Sequence, residues 1–227
     1  MHQESVLRLT KLCLELCGTF TLDPHNPLNE RATFWIKPVL TKDDLVADVL
    51  SVHKLMGIKL ARETLPLIYD RSGSPEESFV GCALFSPNEY GGLCIGEYET
   101  NVELTLSDHQ YKMLTFNKLT PDFLMRQYKI AIEYNGEDHN KGDNPKRDRR
   151  RMNGYSMIAY KAFVLTKDEV RTLYAFNACA RQIVGAIENY EGPSVGRRFE
   201  KLLRDKSFIQ RQKILFEVYR THLEFVY

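Results

Sequence analysis

Two acidic residues stand where chemistry is possible. Asp122 follows Pro121, and Glu133 lies in the run Ile130-Ala131-Ile132-Glu133-Tyr134-Asn135-Gly136. A two-residue turn at Arg126-Gln127 sets Met125 against Tyr128 and Asp122 against Ala131. Side chains alternate along a strand, so Ala131, Glu133 and Asn135 then share the face of Asp122. The two carboxylates become diagonal neighbours, about 7–8 Å apart at the backbone. From there both can converge on one hard cation, since magnesium needs an oxygen at roughly 2.1 Å from each. Ile130 and Ile132 fall on the opposite face, which suits packing under a helix. A turn one residue longer would reverse the faces. Taken alone, the Glu133 run also fits an edge strand that ends in an Asn-Gly turn. Its company is what points to a site: Asp122 before it, Glu137-Asp138-His139 after it, then Asp148 and Arg151. His139 alone would read as a surface-loop histidine.

The elements that must hold these residues are legible in outline. Residues 4–18 predict an amphipathic helix with Leu9, Leu12, Cys13 and Leu16 on one face. Thr41 caps a helix carrying Leu45, Val49, Val52 and Leu55, and Gly57 ends it. A further helix is expected over 60–69, although Pro66 interrupts it. Ser74 and Pro75 open a helix with Glu76 and Glu77 in its first turn, running to about Leu84. Strands are expected over 101–106, 118–125 and 128–134. The charged stretch 144–153 reads as a helix stopped by Gly154, followed by a strand over 156–165 and a long helix over 168–189. One or two helices follow Gly192. The fold class expected is α/β, a mixed four-stranded sheet flanked by helices, with a helical N-terminal layer and a C-terminal helical appendage. The expected division is a helical region 1–72, a core 73–190 and a basic tail 191–227.

The ordered set Asp122, Glu133-Tyr134-Asn135-Gly136, His139, Asp148 with Arg151, and Gly154-Tyr155 before a strand ending near Thr166 resembles the PD-(D/E)XK, or restriction-endonuclease-like, superfamily. It is most similar to the branch of endonuclease-like domains related to the very-short-patch repair endonuclease. Gly73-Ser74-Pro75 with Glu77 resembles the start of that branch's first core helix. The likeness covers about half the chain. It implies metal-dependent endonuclease activity, with DNA favoured over RNA. Asp122 and Glu133 would bind Mg2+ or Mn2+, with Glu77 as a helper. His139 would serve as general base or leaving-group acid, and Arg151 would contact the scissile phosphate or pair with a site carboxylate. The superfamily's lysine position is Asn135 here, so Asn135 orients a water or weakens the site, and His139 carries more of the proton transfer. Lys129 and Lys141 are the other candidates for that task.

Lys146, Arg147, Arg149, Arg150 and Arg151 form the densest basic run and fit nucleic-acid backbone contacts beside such a site. The tail from Val195 holds eight Lys or Arg against four Asp or Glu, and either clamps nucleic acid or packs on the core. Net charge is only +1, so the overall balance selects no anionic partner. The five scattered cysteines form no paired metal-binding modules and suit buried thiols in a reducing compartment. Residues 1–17 carry charges among the leucines, unlike a secretory signal, and no run approaches the roughly 20 apolar residues of a membrane helix. A cytoplasmic protein is expected. Two other functions compete: an inactive nuclease fold that binds nucleic acid, suggested by Asn135, and a toxin or phage-defence component. The last would act through a protein partner docked on the helical N-terminal region, where a homodimer contact is also conceivable.

Overall fold

The computed structural model describes residues 2–23, 32–114, 116, 118–136 and 144–220, with only the backbone described for 144–148 and 220. The chain divides into two compact units, residues 1–95 with 201–227, and residues 96–200. These boundaries cut the chain elsewhere than the expected 1–72, 73–190 and 191–227.

In the first unit, α1 (His2–Leu16) buries Val6, Leu7, Thr10, Cys13 and Leu14. This face is rotated from the expected one, and Leu12 is exposed. The rotation follows from Val6 and Leu7, which with Cys13 and Leu14 make a broader apolar stripe than the leucines alone. The two-residue strands β1 (Phe20–Thr21) and β2 (Thr33–Phe34) pair antiparallel. Next come α2 (Lys42–Ser51), closed by a Thr41–Asp44 capping box, and α3 (Ile58–Thr64). Pro66 falls in a 3-10 turn, Leu65–Leu67, so the helix expected over 60–69 ends early. Helix α4 (Pro75–Phe85) begins as expected: the Ser74 side chain accepts the Glu77 N–H, and Pro75 occupies the first turn. Every residue from Ser78 to Phe85 is buried. The C-terminal helix Lys206–Arg220 completes this unit, with Phe216 edge-on to Phe79 at 4.7 Å and the Tyr219 hydroxyl 3.0 Å from Cys82 Sγ.

The second unit is built on a mixed four-stranded sheet. Its strands are β3 (Glu99–Thr100), β6 (Phe123–Met125), β7 (Ile130–Asn135) and β8 (Lys161–Thr166), in that order across the sheet. The pairs β3–β6 and β6–β7 are antiparallel, and β7–β8 is parallel. A small separate ladder joins β4 (Leu104–Thr105) to β5 (Lys118–Leu119), with α5 (Asp108–Leu114) between them. Two expected strands are therefore divided. The alternating stretch 101–106 is interrupted by Asn101, which takes a left-handed φ of 51°, so only Leu104–Thr105 pairs. The stretch 118–125 is split at Pro121, which has no N–H to donate to a ladder.

The parallel β7–β8 pair requires a crossover. That crossover is α6 (Asn144–Met157). It runs through Gly154 rather than stopping there, so Gly154-Tyr155 lies in the helix and not at the start of a strand. The helix ends in a Schellman-type turn: Tyr160 N–H reaches the Tyr155 carbonyl at 2.9 Å, and Ala159 takes the left-handed conformation at φ 59°. Strand β8 accordingly starts at Lys161, five residues later than expected. Gly154 serves close approach instead. A Cβ there would lie 3.1 Å from Leu119 Cδ1 and 3.4 Å from Leu114 Cδ1. Tyr155 joins Leu104, Leu106, Leu114, Leu119, Leu124 and Ala131 in the core between α6 and the sheet.

The expected helix over 168–189 is divided into α7 (Lys167–Arg171) and α8 (Leu173–Glu191). Thr172 makes the break, because its hydroxyl caps α8 by accepting the Ala175 N–H at 3.1 Å. Helix α8 buries Phe176, Ala180, Ile183, Val184 and Ile187 at helical spacing, and α9 (Ser194–Leu202) follows. Replacing Gly154 with valine is expected to lower stability by about 1–3 kcal/mol, the usual range for overpacking a closed contact. Denaturant unfolding checks this, and an unchanged midpoint would show that α6 has room to move off Leu119.

Candidate functional site

The connection between β6 and β7 is longer than a two-residue turn. Arg126–Tyr128 form a 3-10 turn and Lys129 closes it at φ 49°, so four residues separate the strands. The observed partners are Phe123 with Ile132, Leu124 with Ala131 and Met125 with Ile130. Relative to the expected register, β7 has slipped by two residues, one full strand period. Faces are therefore preserved, and the two carboxylates come closer. Continuing the register by one residue sets Asp122 opposite Glu133, on the face shared by Leu124, Ala131 and Ala162.

Glu133 is a carboxylate at 6% exposure within the sheet. Its Oε1 accepts two hydrogen bonds, from Arg151 Nη2 at 2.7 Å and from the Tyr155 hydroxyl. Arg151 and Tyr155 are four residues apart, so one face of α6 presents both. Arg151 Nη2 also reaches the Thr120 carbonyl at 3.4 Å. Burial, then the charge of Glu133, raises the Tyr155 phenol far above its ordinary range, so it remains a proton donor to the carboxylate.

Asp122 lies just before β6, where the short strand leaves the N–H groups at the end of β7 unreached. Its Oδ2 accepts the Tyr134 N–H at 2.7 Å, and its own carbonyl accepts the Asn101 N–H at 3.2 Å. The residue is half-buried, yet protein atoms crowd its carboxylate. That desolvation raises its pKa to about 7; the Glu133 charge adds to the shift, while the Tyr134 N–H and Arg151 oppose it. Asn135 follows on the face of Glu133, half-buried, paired with Thr166 of β8.

The other expected site residues fall as follows. Glu77 lies in the first unit, where its carboxylate accepts the Gly73 N–H at 2.6 Å at the start of α4. His139 and Lys141 lie outside the described residues, as do Glu137 and Asp138. Lys146, Arg147 and Asp148 fall in the first turns of α6, and their side chains are outside the description. Arg149 and Arg150 are exposed on α6, whereas Arg151 is turned inward. Lys129 is exposed in the β6–β7 connection, at the opposite end of β7 from Asn135. Tyr155 was not among the expected site residues. Its signal was its spacing of four from Arg151, which becomes visible only once α6 is known to continue through Gly154.

Among the described residues, no three or more His, Cys, Asp or Glu side chains form a group that could hold a metal ion. The two acids that the register sets opposite one another, Asp122 and Glu133, carry hard oxygen ligands. Mg2+ is commonly held by one or two carboxylates with water completing its shell. Asp122 and Glu133, opposed in the register, supply two such carboxylates, a donor type that a hard divalent cation takes. No family model, no curated protein and no solved structure matches this chain. Among the described residues, no helix is long and apolar enough to cross a membrane.

Because Asp122 binds its proton more tightly in the folded chain, its contribution to stability is full below about pH 4 and is lost as pH rises to about 7. Asp122→Asn keeps an oxygen for the Tyr134 N–H and removes the charge. In metal-free buffer, the variant is expected to gain stability over wild type between pH 4 and pH 8, on the order of a few kcal/mol. Urea unfolding across that range measures it; parallel pH curves for the two proteins would place the Asp122 carboxylate in water.

Proposed function

We propose that this chain is a metal-dependent endonuclease with a restriction-endonuclease-like core, hydrolysing phosphodiester bonds in nucleic acid, DNA in preference to RNA. The observation that carries the reading is the cross-strand pair Asp122 and Glu133, with Arg151 on the same cluster. Its setting supports it. A mixed four-stranded sheet flanked by helices is what the family resemblance implies, and the second unit carries a mixed four-stranded sheet. Opposed carboxylates on neighbouring strands need one another's company only if a positive charge lies between them, since like charges placed directly opposite destabilise a sheet.

In this reading Asp122 and Glu133 hold Mg2+ or Mn2+. What such an ion supplies at a phosphodiester is positive charge on the phosphoryl oxygen and a more acidic water. Arg151 presents a planar guanidinium that matches two phosphate oxygens and offsets charge that develops during displacement. Asn135, where the superfamily has lysine, donates or accepts a hydrogen bond to orient water but takes no proton at neutral pH. Proton transfer therefore falls to His139, whose ordinary pKa suits that task near neutrality. The exposed arginines of α6, Arg149 and Arg150, hold the backbone and contribute affinity rather than sequence choice. Asn135 also favours a second reading, a nuclease fold that binds nucleic acid without cutting it.

Purified protein is expected to nick or linearise plasmid DNA in Mg2+ or Mn2+ and not in EDTA. Asp122→Ala and Glu133→Ala are each expected to abolish cleavage. His139→Ala is expected to slow turnover by about 10²–10⁴-fold, the range of a lost general acid or base, with little change in DNA affinity. Undiminished cutting by both carboxylate variants would remove this site from the reaction. Salt-sensitive DNA binding with no cleavage would instead establish the second reading.

A further inference from the structure

The two donors on Glu133 differ in freedom. Tyr155 is wholly buried, packed among Leu119, Leu124 and Ala131, and cannot leave without opening the core beneath α6. Arg151 keeps 33% of its side-chain surface and swings on a long flexible stem. The guanidinium lies 2.7 Å from Glu133 Oε1, in a cluster whose charges Asp122 also feels. A cation placed there would meet both an occupied acceptor and a like charge. The same guanidinium is the group in this cluster best shaped to grip a phosphate.

We infer that Arg151 exchanges between Glu133 and a nucleic-acid phosphate, so that a phosphodiester and a divalent cation bind this site with positive coupling. The inference rests on the nuclease reading and adds how its site is regulated. Without ligands, Arg151 neutralises Glu133 and holds the site closed to cations. A phosphate draws the guanidinium off and leaves Glu133 and Asp122 facing the cation with two negative charges. A cation on Glu133 in turn releases Arg151 to the phosphate. Because coupling of binding is reciprocal, each ligand tightens the other by the same factor. Tyr155 remains on Glu133 throughout and acts as a positioning residue, keeping the carboxylate directed when Arg151 has gone. In a cell, such a site stays unloaded in ambient metal until nucleic acid arrives.

The test reads binding. Fluorescence anisotropy gives the affinity of the full chain for a short labelled DNA duplex with and without Mn2+, at constant ionic strength. Wild type is expected to bind the duplex about tenfold more tightly in Mn2+, within the usual span of coupled sites. Arg151→Gln is expected to lose this tightening. In calorimetry without DNA, it is expected to bind Mn2+ several-fold more tightly than wild type, because the competing cation is gone. Tyr155→Phe is expected to bind Mn2+ more weakly and keep the coupling factor. Equal tightening in wild type and Arg151→Gln, or weaker Mn2+ binding by Arg151→Gln, overturns the exchange. If Arg151→Gln does not fold, the wild-type measurement alone decides, since absence of tightening also overturns it. Mn2+ binding that Glu133→Gln abolishes, without coupling, removes the exchange and leaves the nuclease reading standing. No Mn2+ binding by wild type even with the duplex present, and none by Arg151→Gln, sinks both.

Discussion

A carboxylate inside a sheet must be compensated, and much of the second unit follows from how Glu133 is. An unpaired charge at that depth would cost several kcal/mol. The compensation comes from Arg151 and Tyr155, one helical turn apart, which requires α6 to lie across the sheet with that face down. The helix can come that close because Gly154, beside Tyr155, has no side chain to strike Leu119. The apolar cluster of Leu104, Leu114, Leu119, Leu124 and Ala131 then seals the same interface. Ion pair and apolar packing thus demand one placement of the helix. Buried ion pairs of this kind contribute little net stability compared with apolar residues of the same volume. What this pair supplies is specificity, one placement of α6 on the sheet.

Asp122 shows the same economy at the sheet's end. Pro121 breaks the strand and shortens β6 to three residues, so part of β7 runs on without a strand partner on that side. The Asp122 carboxylate takes up the Tyr134 N–H, which anchors its own position. That anchoring favours the charged form, yet desolvation and the neighbouring Glu133 outweigh it. Two carboxylates and one guanidinium leave the cluster net negative when both acids are ionised. The strand break, which looks like a defect in the ladder, is what frees an acidic side chain to take up the Tyr134 N–H.

The shared face of Asp122 and Glu133 was legible in the sequence because strand periodicity forgives a slip of two. The turn length was not legible: Arg126-Gln127-Tyr128-Lys129 has no Gly or Asn to announce its left-handed closing residue. Ala159 likewise ends α6 in a conformation for which glycine is the usual signal, while the actual glycine, Gly154, sits within the helix for packing. Asn101 is the exception, a residue type tolerant of φ above zero that could have delayed the start of the strand expected over 101–106. The burial of α1 was misjudged because its leucines were weighed over Val6 and Thr10. Tyr155 stayed hidden because its role depends on helix continuity that Gly154 argues against.

The basic run of α6 illustrates how a helix separates residues that sequence places together. Successive side chains on a helix are about 100° apart, so a run of arginines cannot act as one patch. Arg149 and Arg150 emerge on the exposed side, and Arg151 turns in to Glu133. A polyanion held by the outer arginines would therefore lie on the same rigid element that carries the inner one. The outward arginines and the Glu133 ion pair thus both depend on one helix orientation. Rotating α6 so that Met152 replaced Arg151 would leave Glu133 unpaired. Gly154, close against Leu119, and Tyr155, buried in the cluster with Ala131, oppose that rotation. The packing of two uncharged residues thus decides which of three adjacent arginines belongs to the site.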